Sequence, residues 1–265
     1  MPTRPNVLTI AGSDSGCGAG IQADIKTIMA LKGYGLSIIT ALTAQNGCEV
    51  KNIYCPNTSF LNDQFDSIFE GFEIHSCKTG MLYTKDIIEI VSQRLKDHKF
   101  PLIVDPVAIS QSGNALIDDD AINALVEKII PLADLVTPNR PEAEMLSNIK
   151  INDKNDAQNA ANKIFEMGAK AVLIKGGHMQ SSIMVTDLLF IKDEGLKELN
   201  QARVDTNNTH GTGCTLSAAI ATYLGQDIPL QIAATKAQEF VNLCLRKSFN
   251  PGKGHGPLNH GANMI

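Results

Sequence analysis

Short apolar runs alternate with segments of helical periodicity along most of the chain, and this alternation limits the fold more than any other feature of the sequence. Strands that alternate with helices predict βαβ units, which build a mostly parallel sheet with helices on both faces. The predicted fold class is therefore α/β, a three-layer α/β/α sandwich, and 265 residues suit one domain over 1–265. The predicted strands are 6–11, 36–42, 49–55, 74–78, 102–104, 134–137, 171–174 and an antiparallel pair at 182–191 and 196–204; the predicted helices are 20–32, 58–69, 84–95, 118–130, 142–146, 157–167, one that begins near 211, and 229–245.

Polar residues follow four of the predicted strands or begin the helix after them. In a parallel sheet the carboxyl ends of all strands lie along one rim, so we expect these residues to meet there. Each one alone is more often structural or solvated. Together they suit phosphoryl transfer, which needs a cation, a carboxylate-held Mg²⁺ and an anion hole. The residues are Asp105, Asn139 with Glu142, Lys175, and the stretch 211–214.

The stretch 207–215 (NNTHGTGCT) leads directly into an apolar helical pattern. Its glycines allow the backbone to turn, and the first N–H groups of the helix would point at an anion such as a phosphate. Cys214 falls in the first turn, where a thiol pKa tends to be lowered, so it is a candidate base. The same pattern is also compatible with a tight turn that contains a small buried cysteine.

The loop 12–20 (GSDSGCGAG) follows the first predicted strand and lies where open α/β sheets bind ligands. It is not a Walker A loop, because Ile21 and Gln22 replace the required Lys and Ser or Thr. It is not the dinucleotide fingerprint either, since Ile21 stands where the third glycine belongs. The loop is therefore either a ligand-facing loop of neither standard type or a flexible connection.

Charge and composition indicate a small-molecule partner. The net charge is −5 and the Lys and Arg residues are scattered, which argues against a nucleic acid or an anionic membrane. There is no apolar signal core at the N-terminus and no run of about 18 apolar residues, so we expect a cytoplasmic protein. The six cysteines form no C-x-x-C pair, which fits reduced thiols. The loop 110–113 is a candidate lid, and the glycine-rich tail after Asn250 is expected to be only partly ordered.

Six motifs, in order and spacing from the first strand to the tail, resemble those of the hydroxymethylpyrimidine/phosphomethylpyrimidine kinases of thiamine synthesis. That family belongs to the ribokinase-like superfamily. Motifs of this combined length are far more specific than any single glycine pattern. They are LTIAGSDSG (8–16), GAGIQAD (18–24), AQN (44–46), KGGH (175–178), NTHGTGC (208–214) and GKG (252–254).

The resemblance implies a ribokinase-like fold, commonly dimeric, that uses ATP and Mg²⁺. It implies an anion hole with a cysteine where most sugar-kinase relatives carry an aspartate base, a metal and phosphate region, a lysine for the nucleotide phosphates, and a pyrimidine pocket. By similarity the hole is Gly211, Thr212, Gly213 and Cys214; the metal and phosphate region is Glu142 and Asn139 with Asp105 nearby; the lysine is Lys175; and the pocket is Gly12, Asp24, Gln45, Met81 and Val107.

The implied activity is ATP-dependent phosphorylation of 4-amino-5-hydroxymethyl-2-methylpyrimidine to its monophosphate and then its diphosphate. Gln45 has a physical rationale, because a carboxamide can pair with an exocyclic amine and the adjacent ring nitrogen. Two departures are notable: Cys17 replaces a usual glycine or serine, and Ser110 stands where pyridoxal kinases of the cysteine type carry a lid cysteine. A pyridoxal kinase on the same scaffold and a non-catalytic pyrimidine-binding protein are the alternatives.

Overall fold

The computed structural model of the chain describes residues 4–107, 118–176 and 183–263. The candidate lid at 110–113 lies outside these ranges. The strands are β1 (Asn6–Asp14), β2 (Tyr34–Gln45), β3 (Val50–Tyr54), β4 (Ser76–Thr79), β5 (Leu102–Val104), β6 (Leu135–Val136), β7 (Ala171–Ile174), β8 (Met184–Ile191) and β9 (Gly195–Ala202). The helices are α1 (Gly20–Ala30), α2 (Thr58–Gly71), α3 (Lys85–Leu95), α4 (Asp119–Ala124), α5 (Arg140–Ser147), α6 (Lys154–Glu166), α7 (Thr212–Leu224) and α8 (Leu230–Arg246).

Within these ranges the strands form one nine-stranded sheet in the order β3-β2-β1-β4-β5-β6-β7-β8-β9. The central strands from β2 to β7 pair in parallel, whereas β3 and the β8–β9 hairpin pair antiparallel at the two ends. The strand order reverses between β1 and β4, which is the position where open α/β sheets bind ligands. The topology therefore places a site at the carboxyl ends of these strands.

Helices cover both faces of the sheet. One buried cluster joins α1, α7 and α8 to one face through residues such as Ile28, Leu216 and Phe240. A second cluster joins α2 to α6 to the other face through residues such as Phe65 and Val91. The central strands are buried on both sides, as expected for parallel strands between two helical layers. The predicted three-layer α/β/α sandwich is confirmed.

Several predicted boundaries were wrong by two or three residues, such as those of β2 and α6, and two further differences have identifiable reasons. β1 does not stop at Gly12 but continues to Asp14 through a register shift between Ala11 and Ser13, so its end reaches into the first loop. The predicted helix 118–130 is α-helical only to Ala124; a π-helical turn (Leu125–Ile129) and a 3₁₀ turn (Ile130–Leu132) follow. The 3₁₀ turn contains Pro131, whose nitrogen cannot donate a helical hydrogen bond. No helix in the described part of the chain is long and apolar enough to span a membrane.

Candidate active site

Four predicted site regions meet at the rim of the sheet. Lys175 Nζ, just after β7, lies 2.9 Å from Asp105 Oδ1 at the end of β5 and 3.8 Å from Glu142 Oε2 at the start of α5. A Cβ atom on Gly213 would lie 3.2 Å from Lys175 Nζ and 3.5 Å from Asp105 Oδ2. The N-terminus of α7 therefore directly faces the lysine and its carboxylates, as the strand-end argument predicted.

A capping box fixes Glu142 in this cluster. Asn139 is the N-cap of α5, and its Oδ1 accepts a hydrogen bond of 2.9 Å from the N–H of Glu142. In return, Glu142 Oε2 accepts one of 2.7 Å from the N–H of Asn139. Pro141 in the first turn is pre-organised for the helix. The local sequence N-R-P-E thus sets the Glu142 carboxylate beside Lys175.

Lys175 remains charged between its two carboxylates. Burial alone would lower the pKa of its ammonium group, but Asp105 and Glu142 outweigh this effect and raise the pKa. Its side chain keeps 16% of its surface exposed, so a ligand at the rim has access to it. Two carboxylates around one lysine leave a local net negative charge of about one, which suits a second cation.

The N-terminus of α7 lies tightly against the first loop. Gly211 is the N-cap, with a φ of 85° in the left-handed region that favours glycine. A Cβ atom on Gly211 would lie 1.8 Å from the carbonyl oxygen of Gly18, so the two backbones approach too closely for a side chain. Gly211 has no side chain to cap the first turn; the N–H of Thr212 donates to the Thr209 carbonyl at 3.2 Å, which leaves the N–H groups of Gly213 and Cys214 to face an anion.

The expectation of a lowered Cys214 pKa was wrong. Burial raises the pKa of the Cys214 thiol to about 11, and the charges of Asp24 and Asp105 act in the same direction. Lys78 and a hydrogen bond with the Gly20 backbone act against the increase but do not cancel it. The helix N-terminus therefore does not make this residue a thiolate, and at neutral pH it is a thiol.

Asp24, predicted to line the pyrimidine pocket, lies fully buried beneath the rim. Its Oδ2 accepts hydrogen bonds of 2.8 Å from Lys78 Nζ and 2.6 Å from Thr9 Oγ1. Its Oδ1 is buried with no hydrogen-bond partner among the described residues. Burial alone would lower the pKa of Lys78, but Asp24 and other nearby acidic groups raise it, so the lysine is an ammonium ion. A contact between Asp24 and a pyrimidine stays a prediction.

The other predicted pocket residues lie around the ends of β1, β2 and β4. A Cβ atom on Gly12 would lie 2.6 Å from Met81 Cε, so these two residues are in contact. Val107 lines a small pocket together with Gly80, Leu82, Tyr83, Ile88 and Leu125. Gln45, at the end of β2, approaches His210, with 3.2 Å between Gln45 Nε2 and His210 Nε2. The described contacts thus link the Gln45 side chain to the loop that leads into the anion hole.

The family of the chain follows from comparison with known proteins. A model of the phosphomethylpyrimidine kinase family matches residues 14–259. The chain belongs to this family. The predicted resemblance is confirmed, and so is the expectation that the chain is an enzyme, a phosphotransferase.

Two curated relatives and one solved structure illustrate the match. The chain is 44% identical to the hydroxymethylpyrimidine/phosphomethylpyrimidine kinase of Haemophilus influenzae, with 99% of this chain and 98% of that protein covered. It is 43% identical to the thiamine biosynthesis bifunctional protein ThiED of Geobacter sulfurreducens; the match covers 97% of this chain, which spans only 52% of that relative. A Bacillus subtilis pyridoxal kinase, solved as an ADP complex, superposes with a TM-score of 0.89 at 34% identity, with 98% of each chain covered. The predicted ribokinase-like fold is confirmed.

The prediction that the tail of this kinase is only partly ordered was wrong. The described part of the tail packs across the loops that contain Gly47 and His210. The N–H of His255 donates to the Gly47 carbonyl at 2.9 Å, and the Gly256 carbonyl accepts from the N–H of His210 at 3.1 Å. Further on, His260 is buried and its Nε2 lies 2.9 Å from Thr215 Oγ1 in the first turn of α7. The glycines of the tail thus allow close contact rather than disorder.

The sequence analysis assigned no role to three residues that lie at the candidate site of the kinase. His210 and Asp14 lie inside the motifs that were singled out, but neither received a role. Their contact joins residues 196 positions apart, which no local pattern signals. Lys78 was read only as the end of a strand; a charged residue between the buried Cys77 and Thr79 of a parallel strand was the available signal.

Proposed function

We propose that this kinase transfers the γ-phosphoryl group of ATP to the hydroxymethyl oxygen of 4-amino-5-hydroxymethyl-2-methylpyrimidine, and then a second phosphoryl group to the monophosphate. The observation that carries the proposal is the meeting of Lys175, Asp105 and Glu142 with the N-terminus of α7. Phosphoryl transfer depends mostly on positioning and on neutralisation of charge, and this arrangement supplies both. The pyrimidine acceptor is supported by the name of the Haemophilus influenzae relative, a hydroxymethylpyrimidine/phosphomethylpyrimidine kinase that matches nearly the full chain.

The proposed roles follow from the geometry. Lys175 would bind the nucleotide phosphates, and the N–H groups of Gly213 and Cys214 at the start of α7 would stabilise charge that develops on the transferred group. Cys214 would take the proton of the acceptor hydroxyl. Because it is a thiol in the ligand-free chain, it must first release its own proton to solvent, and Lys78 favours this release by lowering the Cys214 pKa. Gly12, Met81 and Val107 would surround the pyrimidine ring.

Asp105 and Glu142 fit a Mg²⁺ ion that arrives with the nucleotide. Mg²⁺ usually binds one or two carboxylates together with substrate phosphates rather than an all-protein cage. Consistent with this, the described residues contain no group of three or more His, Cys, Asp or Glu that could hold a metal by themselves. We propose that Asp105 and Glu142 hold Mg²⁺, with Asn139 at the phosphates, and that the ion neutralises phosphate charge.

Pyridoxal is the second candidate acceptor, because the fold superposes well on that of a pyridoxal kinase. Gln45 separates the two proposals, since its carboxamide is complementary to an aminopyrimidine edge. The test is ADP release from Mg-ATP with hydroxymethylpyrimidine, its monophosphate and pyridoxal as parallel acceptors. We expect turnover on the first two, with pyridoxal poor, and a loss of this preference in Gln45→Met. Turnover on pyridoxal alone would overturn the acceptor, and binding without any turnover would point to a non-catalytic binding protein.

We also propose that the chain is a single domain that forms a homodimer in the cytoplasm. β3 is an edge strand that exposes Val50 and Tyr54, and Leu42 on β2 and Phe60 on α2 are exposed as well. Exposed apolar edges of this kind are typical of protein interfaces. All six cysteines are free, which fits a reducing compartment. Sedimentation at increasing concentration should show a dimer that Tyr54→Lys weakens; a monomer throughout would contradict the proposal.

A further inference from the structure

We propose that His210 is a positioning residue for Gln45. Asp14 holds the imidazole of His210, and the imidazole orients the Gln45 carboxamide so that the amide oxygen faces the imidazole and the amide nitrogen faces the pyrimidine substrate. The proposal rests on the proposed function, because it concerns how the same site selects an aminopyrimidine. His210 would not touch the reacting atoms but would set the hydrogen-bonding pattern that Gln45 offers to the substrate.

The first step is the charge state of Asp14. Its Oδ1 accepts a hydrogen bond of 2.8 Å from the N–H of Gly16, and its Oδ2 accepts bonds of 3.0 Å from Gly18 and 2.8 Å from Ala19. These three N–H donors stabilise the charged form of the carboxyl group, and the pKa of Asp14 lies below its ordinary value although burial alone would raise it. Asp14 is therefore a carboxylate, which only accepts hydrogen bonds.

The second step is the proton on His210. Its Nε2 lies 2.9 Å from Asp14 Oδ2. Because that oxygen only accepts, Nε2 must carry a hydrogen, whether the ring is neutral or charged. A ring nitrogen that carries a hydrogen has no lone pair with which to accept a hydrogen bond, whether the imidazole is neutral or charged. Asp14 thus makes Nε2 of His210 a donor.

The third step is the orientation of Gln45. Its Nε2 is placed 3.2 Å from His210 Nε2, but an amide nitrogen and a protonated imidazole nitrogen are both donors and cannot bond to each other. Which end of an amide is oxygen is decided by the hydrogen-bond network around it. The network here requires Gln45 Oε1 toward His210, so its NH₂ group points away from the imidazole.

The arrangement is rigid enough to hold this orientation. The ring of His210 packs against Gly18, where a Cβ atom would lie 2.3 Å from His210 Cδ2. The backbone of His210 donates to the Gly256 carbonyl at 3.1 Å. Ser15 Oγ accepts from the Gln45 N–H at 2.8 Å and donates to the Gln45 carbonyl at 2.7 Å. The first loop therefore holds both partners at once.

The orientation matches the edge of an aminopyrimidine. The amide oxygen has two lone pairs, so it can share the single Nε2 hydrogen of His210 with Asp14 and can also accept from the exocyclic amine, while the NH₂ group donates to the adjacent ring nitrogen. The reversed amide would set donor against donor at the amine. Buried polar groups left unpaired in this way discriminate strongly between substrates. His210 would thus contribute to acceptor choice through Gln45.

A measurement on the unmodified, ligand-free chain tests the proton. Nitrogen-15 spectra of the histidine rings, with His210 identified by loss of its signals in His210→Phe, report which ring nitrogen is protonated. The proposal predicts a proton on Nε2 at neutral pH. An unprotonated Nε2 would overturn it. This result does not depend on the acceptor, so it stands even if the wild type shows no turnover on the pyrimidine, which would contradict the proposed function instead.

A double-mutant cycle tests the action through Gln45. We expect His210→Phe to raise KM for hydroxymethylpyrimidine about 10-fold or more with KM for ATP unchanged, and Gln45→Ala to have at least as large an effect. Because His210 acts through Gln45, the double variant should be no worse than Gln45→Ala. Effects that simply multiply would overturn the proposal. His210→Ala replaces His210→Phe in the cycle if the latter does not fold.

The matched control is His98→Phe. His98 lies beside Phe100 between α3 and the start of β5, at the opposite edge of the sheet from the site. It should leave KM for both substrates unchanged. If KM for ATP rises along with KM for the pyrimidine in His210→Phe, the residue supports the whole site rather than Gln45, and the proposal is wrong.

Discussion

Lys78 and Lys175 stand at the carboxyl ends of two strands of one sheet and act on the same cysteine, yet their surroundings differ. Lys78 has 1% of its side chain exposed and, among the described residues, one ion-pair partner, Asp24, at 2.8 Å. Lys175 keeps 16% exposed and lies between two carboxylates, at 2.9 and 3.8 Å. The enclosed pair cannot exchange partners without breaking the core, whereas the proposed role of Lys175 requires only that it turn from a carboxylate to a phosphate.

The difference arises from the position of each lysine relative to its strand, because Lys78 lies within β4 and Lys175 follows the end of β7. Asp24 belongs to α1, which packs on the sheet, and Thr9 of β1 donates to the same oxygen. Asp105 and Glu142 are buried as well, but Lys175 between them reaches the rim and keeps part of its side chain exposed. Lys78 is therefore part of the core, whereas Lys175 lies at the candidate site.

The largest effect should come from breaking the enclosed pair. Lys78→Met leaves Asp24 buried and unpaired, so the free energy of unfolding should fall by about 3–5 kcal/mol. The double variant Asp24→Asn with Lys78→Met removes both charges and should recover most of the loss. Urea unfolding measures both. If Lys175→Met destabilises the chain as much as Lys78→Met, the two lysines do not differ as described.

Lys175→Met should instead disable catalysis. Loss of a cation that binds phosphate should lower kcat/KM for ATP by about 10²–10³-fold, the range for loss of one electrostatic group in an active site. Asp105 and Glu142 are buried too, so some unfolding free energy should be lost, but less than in Lys78→Met because water can reach the place of the partly exposed Lys175. Steady-state kinetics and urea unfolding on the same preparation provide the comparison, and Lys170→Met at the exposed start of β7 is the control. Full activity would remove Lys175 from the site.

Cys214, which interacts electrostatically with both lysines, should show a smaller effect. Cys214→Ala should lower turnover by about 10²-fold if the residue accepts the hydroxyl proton. Because the free thiol has a pKa of about 11, kcat/KM of the wild type should rise as the pH increases from 7 toward 10, and this rise should vanish in the variant. Unchanged turnover, or the same pH profile in both proteins, would exclude Cys214 as the base.

The smallest effect is the pH dependence of the unfolding free energy that comes from His260, which contacts the first turn of α7. Burial lowers the pKa of His260 to about 4, so between pH 6.5 and 4 the unfolded chain binds more protons than the folded chain. Stability from this group is full above pH 6.5 and is lost as the pH falls toward 4, by about 2 kcal/mol at pH 5. Urea unfolding at pH 7 and pH 5 measures it, and His260→Gln should flatten the dependence. An equal loss in the variant would assign it to other groups.

The sequence was sufficient to predict the fold and the polar residues that meet at the rim of the sheet. Apolar runs that end in Asp105 and before Lys175 indicate both the strands and the side on which these residues lie, because parallel strands share one rim. It was not sufficient for the charge state of Cys214. A helix N-terminus is visible in the sequence, but the burial that raises the thiol pKa depends on packing.

Contacts between distant segments were also beyond the sequence. Lys78 and Asp24 are 54 positions apart, and His210 and Asp14 are 196 apart, so only the sheet order brings each pair together. The tail illustrates the same limit. Its glycines suggest disorder by composition, whereas His260 is buried against Thr215 in a position that only the assembled fold creates.

The most direct test of the central claim is the amount of ADP released per pyrimidine. With excess Mg-ATP and a limiting amount of hydroxymethylpyrimidine, we predict two ADP per pyrimidine, with the monophosphate appearing first and the diphosphate as the final product. One ADP per pyrimidine would contradict the second transfer. No ADP release, with pyridoxal phosphorylated under the same conditions, would contradict the proposed acceptor altogether.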